Sequence, residues 1–445
     1  MNELPVVVIG AGPVGLAAAA ELVERGFAPL VLERGARAGA DVAEWNHVRL
    51  FSPWSELVAP AAGRLLERTG WTRPGGEAYP TGSEWAGQYL RPLADALGGR
   101  VRFGAEVIGV TRRGRDRVVD SGRDEEPFTI HVRAADGSEE RVTGRAVVDA
   151  SGTWSTPNPL GGEGLPAVGE RSAADRIGYR VPDLGDETVR ARYAGKHVVV
   201  AGSGHSALTA LVALSGLADD GTRISWVLRR GAVGDTFGGG DADQLPARGA
   251  LGSRARAAVE SGLITVVTGF RTEVVERDTD GRLTLLSSGG QRIEQVDEVV
   301  TLSGFRPDLT WLSEIRLDLD PTLQAPVALA PLIDPNVHSC GTVYPHGAKE
   351  LAQPEKNFYL AGMKSYGRAP TFLAMTGYEQ VRSIAAQLAG DHEAAARVEL
   401  RMAETGVCGG AGLYDEPDDA AAAGGCCAAP EPEVLTLSAP SAAVR

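Results

Sequence analysis

The first 33 residues show a regular order of apolar and polar positions. Residues 5–9 form an apolar run rich in β-branched side chains, residues 10–15 contain three glycines, and residues 16–25 are rich in alanine. A second apolar run, residues 28–32, ends in the acidic Glu33. Short β-branched runs predict strands, and the alanine-rich stretch predicts a helix. The order therefore predicts a βαβ unit with a tight turn between its first strand and its helix.

The glycines of this turn have the spacing of a dinucleotide-binding fingerprint. Gly10 permits the turn, Gly12 lets a pyrophosphate approach the backbone, and Gly15 lets the helix pack close to the strand. The positive N-terminal end of the helix would point at the phosphates. Glu33 follows near the position where a carboxylate accepts hydrogen bonds from an adenosine ribose. The unit predicts a nucleotide site, with a purely structural glycine-rich turn as the alternative.

The same order recurs about 190 residues later. Residues 197–201 predict a strand and residues 208–217 predict a helix. Between them lies the hexapeptide Gly202-Ser203-Gly204-His205-Ser206-Ala207. Alanine replaces the third glycine, which the fingerprint tolerates. We therefore predict a second nucleotide site.

The strand that follows the second turn ends differently from its counterpart. Residues 223–228 lead into Arg229 and Arg230, where the first copy has Glu33. Guanidinium groups at this place suit a ribose 2′-phosphate, which favours NADPH over NADH. A solvated turn is the alternative interpretation of the two arginines.

Two nucleotide sites imply two domains, and the sequence around them indicates how the chain is threaded. Residues 147–150 followed by a Ser-Gly pair, and residues 296–302 followed by a second Ser-Gly pair, each predict a strand that leads into the other domain. We predict an α/β fold of two Rossmann-like domains, the second inserted into the first. The predicted parts are residues 1–170 and 321–400 for the first domain, 171–320 for the second, and 401–445 for a disordered tail.

Composition narrows the choice of partners. The chain has 445 residues, and 58 acidic against 44 basic side chains give a net charge of −14, which repels nucleic acids and anionic lipids. Residues 4–20 are interrupted by glycines and a proline, so we expect neither a signal peptide nor a membrane span there. The expectation is a cytoplasmic protein that acts on a small molecule. The sequence leaves open whether it forms a homodimer.

The paired turns and return strands resemble the two-dinucleotide-binding flavoproteins, which include flavin monooxygenases, Baeyer–Villiger enzymes and thioredoxin reductases. The resemblance covers residues 1 to about 390 and implies that the first site holds FAD and the second NADPH. It implies FAD contacts from Gly10, Gly12, Pro13, Gly15, Glu33, Arg34, Trp45, His47, Gly152, Gly362 and Thr376. It implies NADPH contacts from Gly202, Gly204, His205, Ser206, Ala207, Arg229 and Arg230.

The late part of the first domain shows both a match and a departure. Residues 357–367 match the superfamily's late strand, but the aspartate usual after its glycine is absent. A helix that opens near Thr376 would aim its positive end at the flavin ring.

Other segments bear on where the electrons go after the flavin. The sequence has no Cys-x-x-Cys or Cys-x4-Cys pair of the kind that disulfide reductases use. Residues 45–53, here called the bridging segment, resemble the part of small bacterial flavin monooxygenases that joins FAD to the active site. This resemblance makes Asn46 and His47 candidate catalytic residues, although the usual monooxygenase signature with its histidine is not preserved.

A narrower resemblance is to the flavin-binding monooxygenases encoded in actinobacterial arsenic-resistance operons. It is carried by residues 202–207, 332–341, 362–372 and 404–408. Arsenic enters here as a hypothesis about the substrate, because that family name rests on fold and genetic neighbourhood.

Three of the four cysteines lie in the predicted tail, which is rich in Ala, Gly, Pro and acids and has no apolar period. Cys408, Cys426 and Cys427 are soft thiols that could converge on trivalent arsenic. Alternatively, they are incidental, or the vicinal pair is a mobile dithiol that carries electrons.

These observations lead to one main functional hypothesis and two alternatives. The main hypothesis is an FAD- and NADPH-dependent monooxygenase that uses O₂, through a C4a-peroxyflavin, to oxygenate a soft nucleophile such as an arsenical. One alternative is a reductase that passes electrons through the tail dithiol. The other is a thiol-rich metalloid-binding flavoprotein.

Overall fold

The computed structural model describes residues 4–243, 245–337, 346–370 and 372–400. In chain order, the strands of these residues are β1 Val6–Ile9, β2 Pro29–Leu32, β3 Val101–Arg102, β4 Ala105–Arg112, β5 Phe128–Ala134, β6 Glu139–Gly144, β7 Ala146–Asp149, β8 Ile177–Gly178, β9 His197–Ala201, β10 Arg223–Val227, β11 Ile264–Val267, β12 Thr272–Arg277, β13 Leu283–Ser287, β14 Arg292–Val296, β15 Glu298–Thr301 and β16 Phe358–Leu360.

The α-helices of the same residues are α1 Pro13–Glu24, α2 Ala40–Ala43, α3 Trp54–Leu57, α4 Pro60–Glu67, α5 Gly82–Trp85, α6 Arg91–Leu97, α7 Glu187–Tyr193, α8 His205–Ser215, α9 Pro246–Glu260, α10 Ala330–Ile333, α11 Ala374–Leu388 and α12 His392–Ala396. A π-helical turn, Ala86–Leu90, joins α5 to α6. None of the helices in the described ranges combines the length and apolar character needed to cross a bilayer.

The first sheet is parallel, with strand order β16-β7-β1-β2-β3. Strand β1 lies at its centre, pairing Val6 with Pro29 on one side and with Ala146 on the other. Helix α1 covers this sheet with a nearly continuous apolar surface, in which Leu16 is fully buried. Parallel strands buried on both faces need such uninterrupted apolar runs, and residues 5–9 supply one.

The second sheet repeats this arrangement with strand order β11-β10-β9-β15-β8, again all parallel. Its members fall between residues 177 and 301, and β16 then returns the chain to the first sheet. Two three-stranded antiparallel sheets complete the fold, β4-β5-β6 and β12-β13-β14. The α/β fold class with two parallel nucleotide-binding sheets, predicted from the sequence, is confirmed.

Two helices begin earlier than their alanine-rich stretches predict. Helix α1 begins at Pro13 rather than at residue 16, because proline at the first helical position has its φ already fixed for a helix. Helix α8 begins at His205 rather than at residue 208. Both helices therefore start inside the glycine-bearing turns, which places their N-terminal amides at the candidate sites.

Candidate functional site

The first turn joins β1 to α1, and its glycines meet different steric demands. Gly10 has φ +98°, and a Cβ there would lie 2.9 Å from the Ala150 carbonyl oxygen. A Cβ at Gly15 would lie 2.0 Å from the Gly10 carbonyl oxygen. Gly12 has an extended backbone, and no atom lies within 4 Å of its Cβ position. Gly10 and Gly15 are therefore required by the fold, whereas Gly12 leaves open space above the turn.

This open space adjoins free hydrogen-bond donors and a buried acid. Gly12 is the N-cap of α1 and supplies no side-chain cap, so the first amides of the helix are available to an anion. Glu33 Oε2 accepts a hydrogen bond from the Ala11 amide at 2.7 Å, and Oε1 accepts one from Gly35 at 2.7 Å. Burial raises the pKa of Glu33 despite these two hydrogen bonds. The carboxylate thus lies directly beside the turn, and this arrangement fits the pyrophosphate and ribose of a dinucleotide.

Arg34, another predicted FAD contact, has a different environment. Its side chain is exposed and pairs with Asp41, Nη2 to Oδ1 at 2.9 Å. The Arg34 side chain therefore bonds to Asp41 rather than to a residue of the first turn.

The second turn, between β9 and α8, has the same division of roles. Gly202 has φ +132°, and a Cβ there would lie 2.4 Å from the Leu302 carbonyl oxygen. Gly204 again has no atom within 4 Å of its Cβ position. Ala207 is fully buried in the place of the third glycine, while His205 and Ser206 are exposed at the helix start. The geometry fits a second dinucleotide.

The two arginines after β10 have different surroundings. Arg230 Nη2 donates to Ser203 Oγ at 3.3 Å, so its guanidinium lies against the second turn. The side chain of Arg229 is exposed. Arg230 is therefore the better placed of the two to meet a phosphate bound at this turn.

The late segment of the chain reaches the first turn. Gly362 has φ +68°, and its Cβ position lies 3.3 Å from the Val14 side chain, while the Gly362 amide donates to Gln380 Oε1 at 2.8 Å. Helix α11 begins at Ala374, two residues before the predicted opening at Thr376. Thr376 is itself buried. The late strand and the start of α11 therefore pack beside the start of α1.

A buried ion pair includes a residue of the segment 357–367, which lacks the aspartate usual after the glycine of the late strand. Lys364 Nζ lies 2.7 Å from Asp149 Oδ2, donates to Ser151 Oγ at 3.1 Å, and lies 4.1 Å from the ring centre of Trp311. Neither charged side chain is more than 1% exposed. The sequence does not reveal this pair. Its only local signal is Asp149, a charged residue at the end of an otherwise apolar strand, because the partner is remote in sequence.

The bridging segment contacts the part of the fold built on the second sheet, and this contact is here called the junction. The Phe51 ring packs edge-on against the His205 ring, with centres 5.2 Å apart. His47 Nδ1 lies 3.8 Å from Asp183 Oδ2, and both ring nitrogens of His47 are buried without a hydrogen-bond partner among the described residues. The segment thus joins the first half of the fold to the second, and His47 retains free hydrogen-bonding capacity there.

Other predicted residues have different neighbours. Trp45 packs on Trp85, with ring centres 6.3 Å apart, and on Gly82, which matches core packing. The Asn46 side chain is exposed, and its carbonyl accepts a hydrogen bond from the Ser83 amide at 2.8 Å. Gly152 has φ +71° and open space at its Cβ position. The candidate arsenic thiols Cys408, Cys426 and Cys427 lie outside the described residues.

Two parallel sheets, each with an open glycine turn at the carboxyl end of its central strand, define a protein with two dinucleotide sites. The sequence profile described as pyridine nucleotide-disulphide oxidoreductase matches residues 7–328, and the chain belongs to this family.

One curated relative is the indole-3-pyruvate monooxygenase YUCCA4 of Oryza sativa subsp. japonica, 29% identical over 227 residues. The match covers 50% of this chain and 47% of the relative, so the chain spans about half the length of that protein.

Solved structures with a similar fold include both reductases and monooxygenases. The bacillithiol disulfide reductase Bdr of Bacillus cereus has a TM-score of 0.63 and 21% identity, covering 87% of this chain and 99% of its own. The FAD-bound cadaverine monooxygenase DfoA of Erwinia amylovora has a TM-score of 0.61 and 15% identity, covering 91% and 98%. A flavin monooxygenase of Stenotrophomonas maltophilia has a TM-score of 0.57 and 20% identity, covering 88% and 99%.

The chain therefore belongs to the pyridine nucleotide-disulphide oxidoreductase family, its fold is shared by flavin monooxygenases and by reductases, and FAD and NADPH as cofactors are consistent with this family.

Proposed function

We propose that the protein is an NADPH-dependent flavin monooxygenase that oxygenates a soft nucleophilic atom of a small molecule. The observation that carries the proposal is the bridging segment, where His47 has two ring nitrogens without a hydrogen-bond partner in the described residues and Phe51 packs on His205 of the second turn. The sequence also has no Cys-x-x-Cys or Cys-x4-Cys pair of the kind that disulfide reductases use.

The chain's own residues would bind and orient the reactants. Gly12 and the first amides of α1 would hold the FAD pyrophosphate, and Glu33 would turn from the Ala11 amide to the ribose. When bound, FAD supplies the transfer of electrons from NADPH to oxygen. His47 would exchange a hydrogen bond with a reactant at the junction, because its ring nitrogens lack a hydrogen-bond partner in the described structure.

The second site would prefer NADPH. Arg230 lies against Ser203 of the glycine turn, and its guanidinium offers a ribose 2′-phosphate a charge-assisted hydrogen bond. Arg229, next to it on the exposed side, would add a second positive charge.

The fate of the electrons decides between the candidate functions. In a monooxygenase, NADPH oxidation depends on O₂, and rapid mixing of the reduced protein with O₂ gives a transient spectrum that differs from both the oxidised and the reduced flavin. In a reductase, NADPH oxidation proceeds without O₂ once a disulfide acceptor is added. Negligible NADPH oxidation under both conditions would instead favour a metalloid-binding flavoprotein. The variant His47→Phe should lower oxygen-dependent turnover, because it retains a planar ring but loses both nitrogens, and its FAD content is measured in parallel to separate turnover from FAD binding.

We further propose trivalent arsenic or an organic arsenical as the soft nucleophile. The supporting observation is the sequence of the tail, where three of the four cysteines lie together with few apolar residues. Thiolates are soft ligands that suit such an ion.

Arsenite titration tests the role of these thiols. The full-length protein, a chain ending at Ala403 and a full-length variant with serine at positions 408, 426 and 427 are titrated while free thiols are counted. Stoichiometric binding by the full-length protein alone is expected, with FAD content and NADPH-driven flavin reduction unchanged in all three. Equal arsenite binding by all three would show that the tail cysteines are incidental. Loss of disulfide-dependent turnover on truncation would favour the electron-carrying role.

A further inference from the structure

The first half of the fold is built on the first parallel sheet and the second half on the second parallel sheet. Two connections join these halves, residues 150–159 after β7 and residues 302–306 after β15. They are bonded to one another. The Asn158 amide donates to the Gly304 carbonyl at 2.9 Å, and Asn158 Nδ2 donates to the Ser303 carbonyl at 2.9 Å. The connections therefore form one paired unit rather than two independent hinges.

An arginine of the second half lies on this unit. The rings of Trp154 and Phe305, one from each connection, have centres 4.8 Å apart. Arg180 follows β8, and its guanidinium carbon lies 4.0 Å from the Trp154 ring centre and 5.0 Å from the Phe305 ring centre. Its Nη2 also donates to the Trp154 carbonyl at 2.6 Å. A flat guanidinium stacks on aromatic faces in a way that an ammonium group does not.

A carboxylate of the first half completes the arrangement. Glu44 follows α2, and its Oε2 accepts a hydrogen bond from Trp154 Nε1 at 2.6 Å. The same oxygen lies 3.6 Å from Arg180 Nε. These contacts connect the first half, both connections and the second half. The four side chains that make them, here called the clamp, are Glu44, Trp154, Arg180 and Phe305.

The clamp adjoins the bridging segment and, through it, the second turn. Glu44 immediately precedes the bridging segment, whose Phe51 packs on His205 of the second turn. A rotation of one half about the connections would move the second turn relative to the first, and transfer between two bound rings is sensitive to displacements of about 1 Å. Groups that fix this rotation control the transfer geometry without touching either ring.

We propose that Arg180 is a positioning residue that, through the clamp, fixes the orientation in which the pyridine nucleotide meets the flavin. The proposal rests on the presence of the two nucleotide sites, and it is independent of whether the electrons then go to oxygen or to a disulfide.

Anaerobic stopped-flow reduction by NADPH tests the proposal, since no acceptor beyond the flavin takes part. In Arg180→Met the limiting rate of flavin reduction should fall by about 10- to 100-fold, while the NADPH dissociation constant and the FAD content stay close to those of the wild type. Arg180→Lys keeps the charge beside Glu44 but lacks the flat stacking group, so its rate should be intermediate. The matched control is Arg190→Met, which removes an exposed arginine of the same half that pairs only with Asp220 in the described contacts.

A spectroscopic measurement separates positioning from a general structural role. NADP⁺ bound beside the flavin perturbs its visible absorbance, and Arg180→Met should lose most of this difference spectrum while still binding NADP⁺ in a calorimetric titration. Glu44→Gln keeps an acceptor for Trp154 but removes the charge, so it should lose part of the difference spectrum. A limiting rate and a difference spectrum like those of the wild type would overturn the proposal. A joint fall in FAD content, NADP⁺ affinity and melting temperature would also overturn it, because it would show that Arg180 merely stabilises the fold.

Discussion

The substitution Gly12→Val separates nucleotide binding from folding at the first turn. The backbone of Gly12 has φ −79° and ψ −175°, an extended conformation that valine adopts readily. No atom lies within 4 Å of the added Cβ. The cost to the free energy of unfolding should therefore resemble that of a surface substitution, about 0.5 kcal/mol.

The cost to FAD binding should be far larger. The valine side chain would fill the space that a pyrophosphate needs to reach the first amides of α1. Losing two hydrogen bonds to charged phosphate oxygens at roughly 1.5 to 3 kcal/mol each gives about 3 to 6 kcal/mol. At about 1.4 kcal/mol per tenfold, FAD affinity should fall by a factor of roughly 10² to 10⁴.

The assay is the FAD to protein ratio of the purified variant, with two matched variants beside it. Gly204→Val makes the equivalent change in the second turn, where the Cβ position is also open, and should retain FAD while losing NADPH binding. Gly15→Ala places a Cβ 2.0 Å from the Gly10 carbonyl oxygen and should prevent normal folding. Melting temperatures are compared with wild type stripped of FAD, because bound FAD itself stabilises the native state.

Three results would refute this reasoning. Full FAD occupancy in Gly12→Val would show that the first turn does not hold the pyrophosphate. If Gly204→Val lost FAD instead, the two sites would have been assigned in the wrong order. A melting temperature of Gly12→Val far below that of stripped wild type would show that the space above the turn is needed by the protein itself.

Further predictions concern the second site and two buried acids. Removing Arg229 and Arg230 together should raise the Michaelis constant for NADPH, at roughly 1.5 to 3 kcal/mol per lost phosphate contact, and leave the Michaelis constant for NADH nearly unchanged. Of the two single substitutions, Arg230→Ala should have the larger effect. Equal use of NADPH and NADH by the wild type would contradict the assignment. Glu355→Gln should cost about 3 to 5 kcal/mol in urea unfolding, because two buried arginines share its carboxylate. Burial opposes ionisation of Glu355, but the arginine hydrogen bonds outweigh it and lower its pKa, so this stabilisation should be present above about pH 4.5 and lost as the pH falls further. Burial raises the pKa of Glu21 from 4.5 to about 7, so Glu21→Gln should unfold at higher urea than the wild type above pH 7 and lose that advantage below about pH 4.5.

The two glycine turns could be predicted from the sequence because their requirements are local. Gly10 and Gly202 adopt positive φ angles, and each lies against the backbone just after the end of a neighbouring strand of its own sheet. These steric requirements restrict the residue type at each position. The alternation of short apolar runs with alanine-rich stretches is likewise a local signal. The fold class follows from such signals, and so do the positions of the strands before and after the two turns, to within one or two residues.

The remaining parts of the candidate site depend on contacts between distant residues. Asp149 and Lys364 form their ion pair across more than 200 positions of sequence, and nothing adjacent to either residue announces the other. Arg180 and Glu44 come from different halves of the fold. Charged side chains are usually solvated, so the sequence alone predicts a surface position for each of them, and only the tertiary structure reveals a buried partner.

The fold alone does not decide between the oxygenase and reductase functions, because proteins of both kinds share it and function lies in the groups placed on the fold. The deciding groups are those that reach the flavin. A disulfide beside the flavin accepts electrons directly, whereas an oxygenase excludes water and competing thiols from it. At the junction, His47 offers ring nitrogens without a hydrogen-bond partner in the described residues, and Phe51 offers an apolar ring. A thiol reaching the flavin from residues 401–445 would change this argument. For that reason, oxygen dependence has to be measured on the full-length and the truncated chain side by side: the same dependence on O₂ in both would assign the oxygenase chemistry to the junction itself.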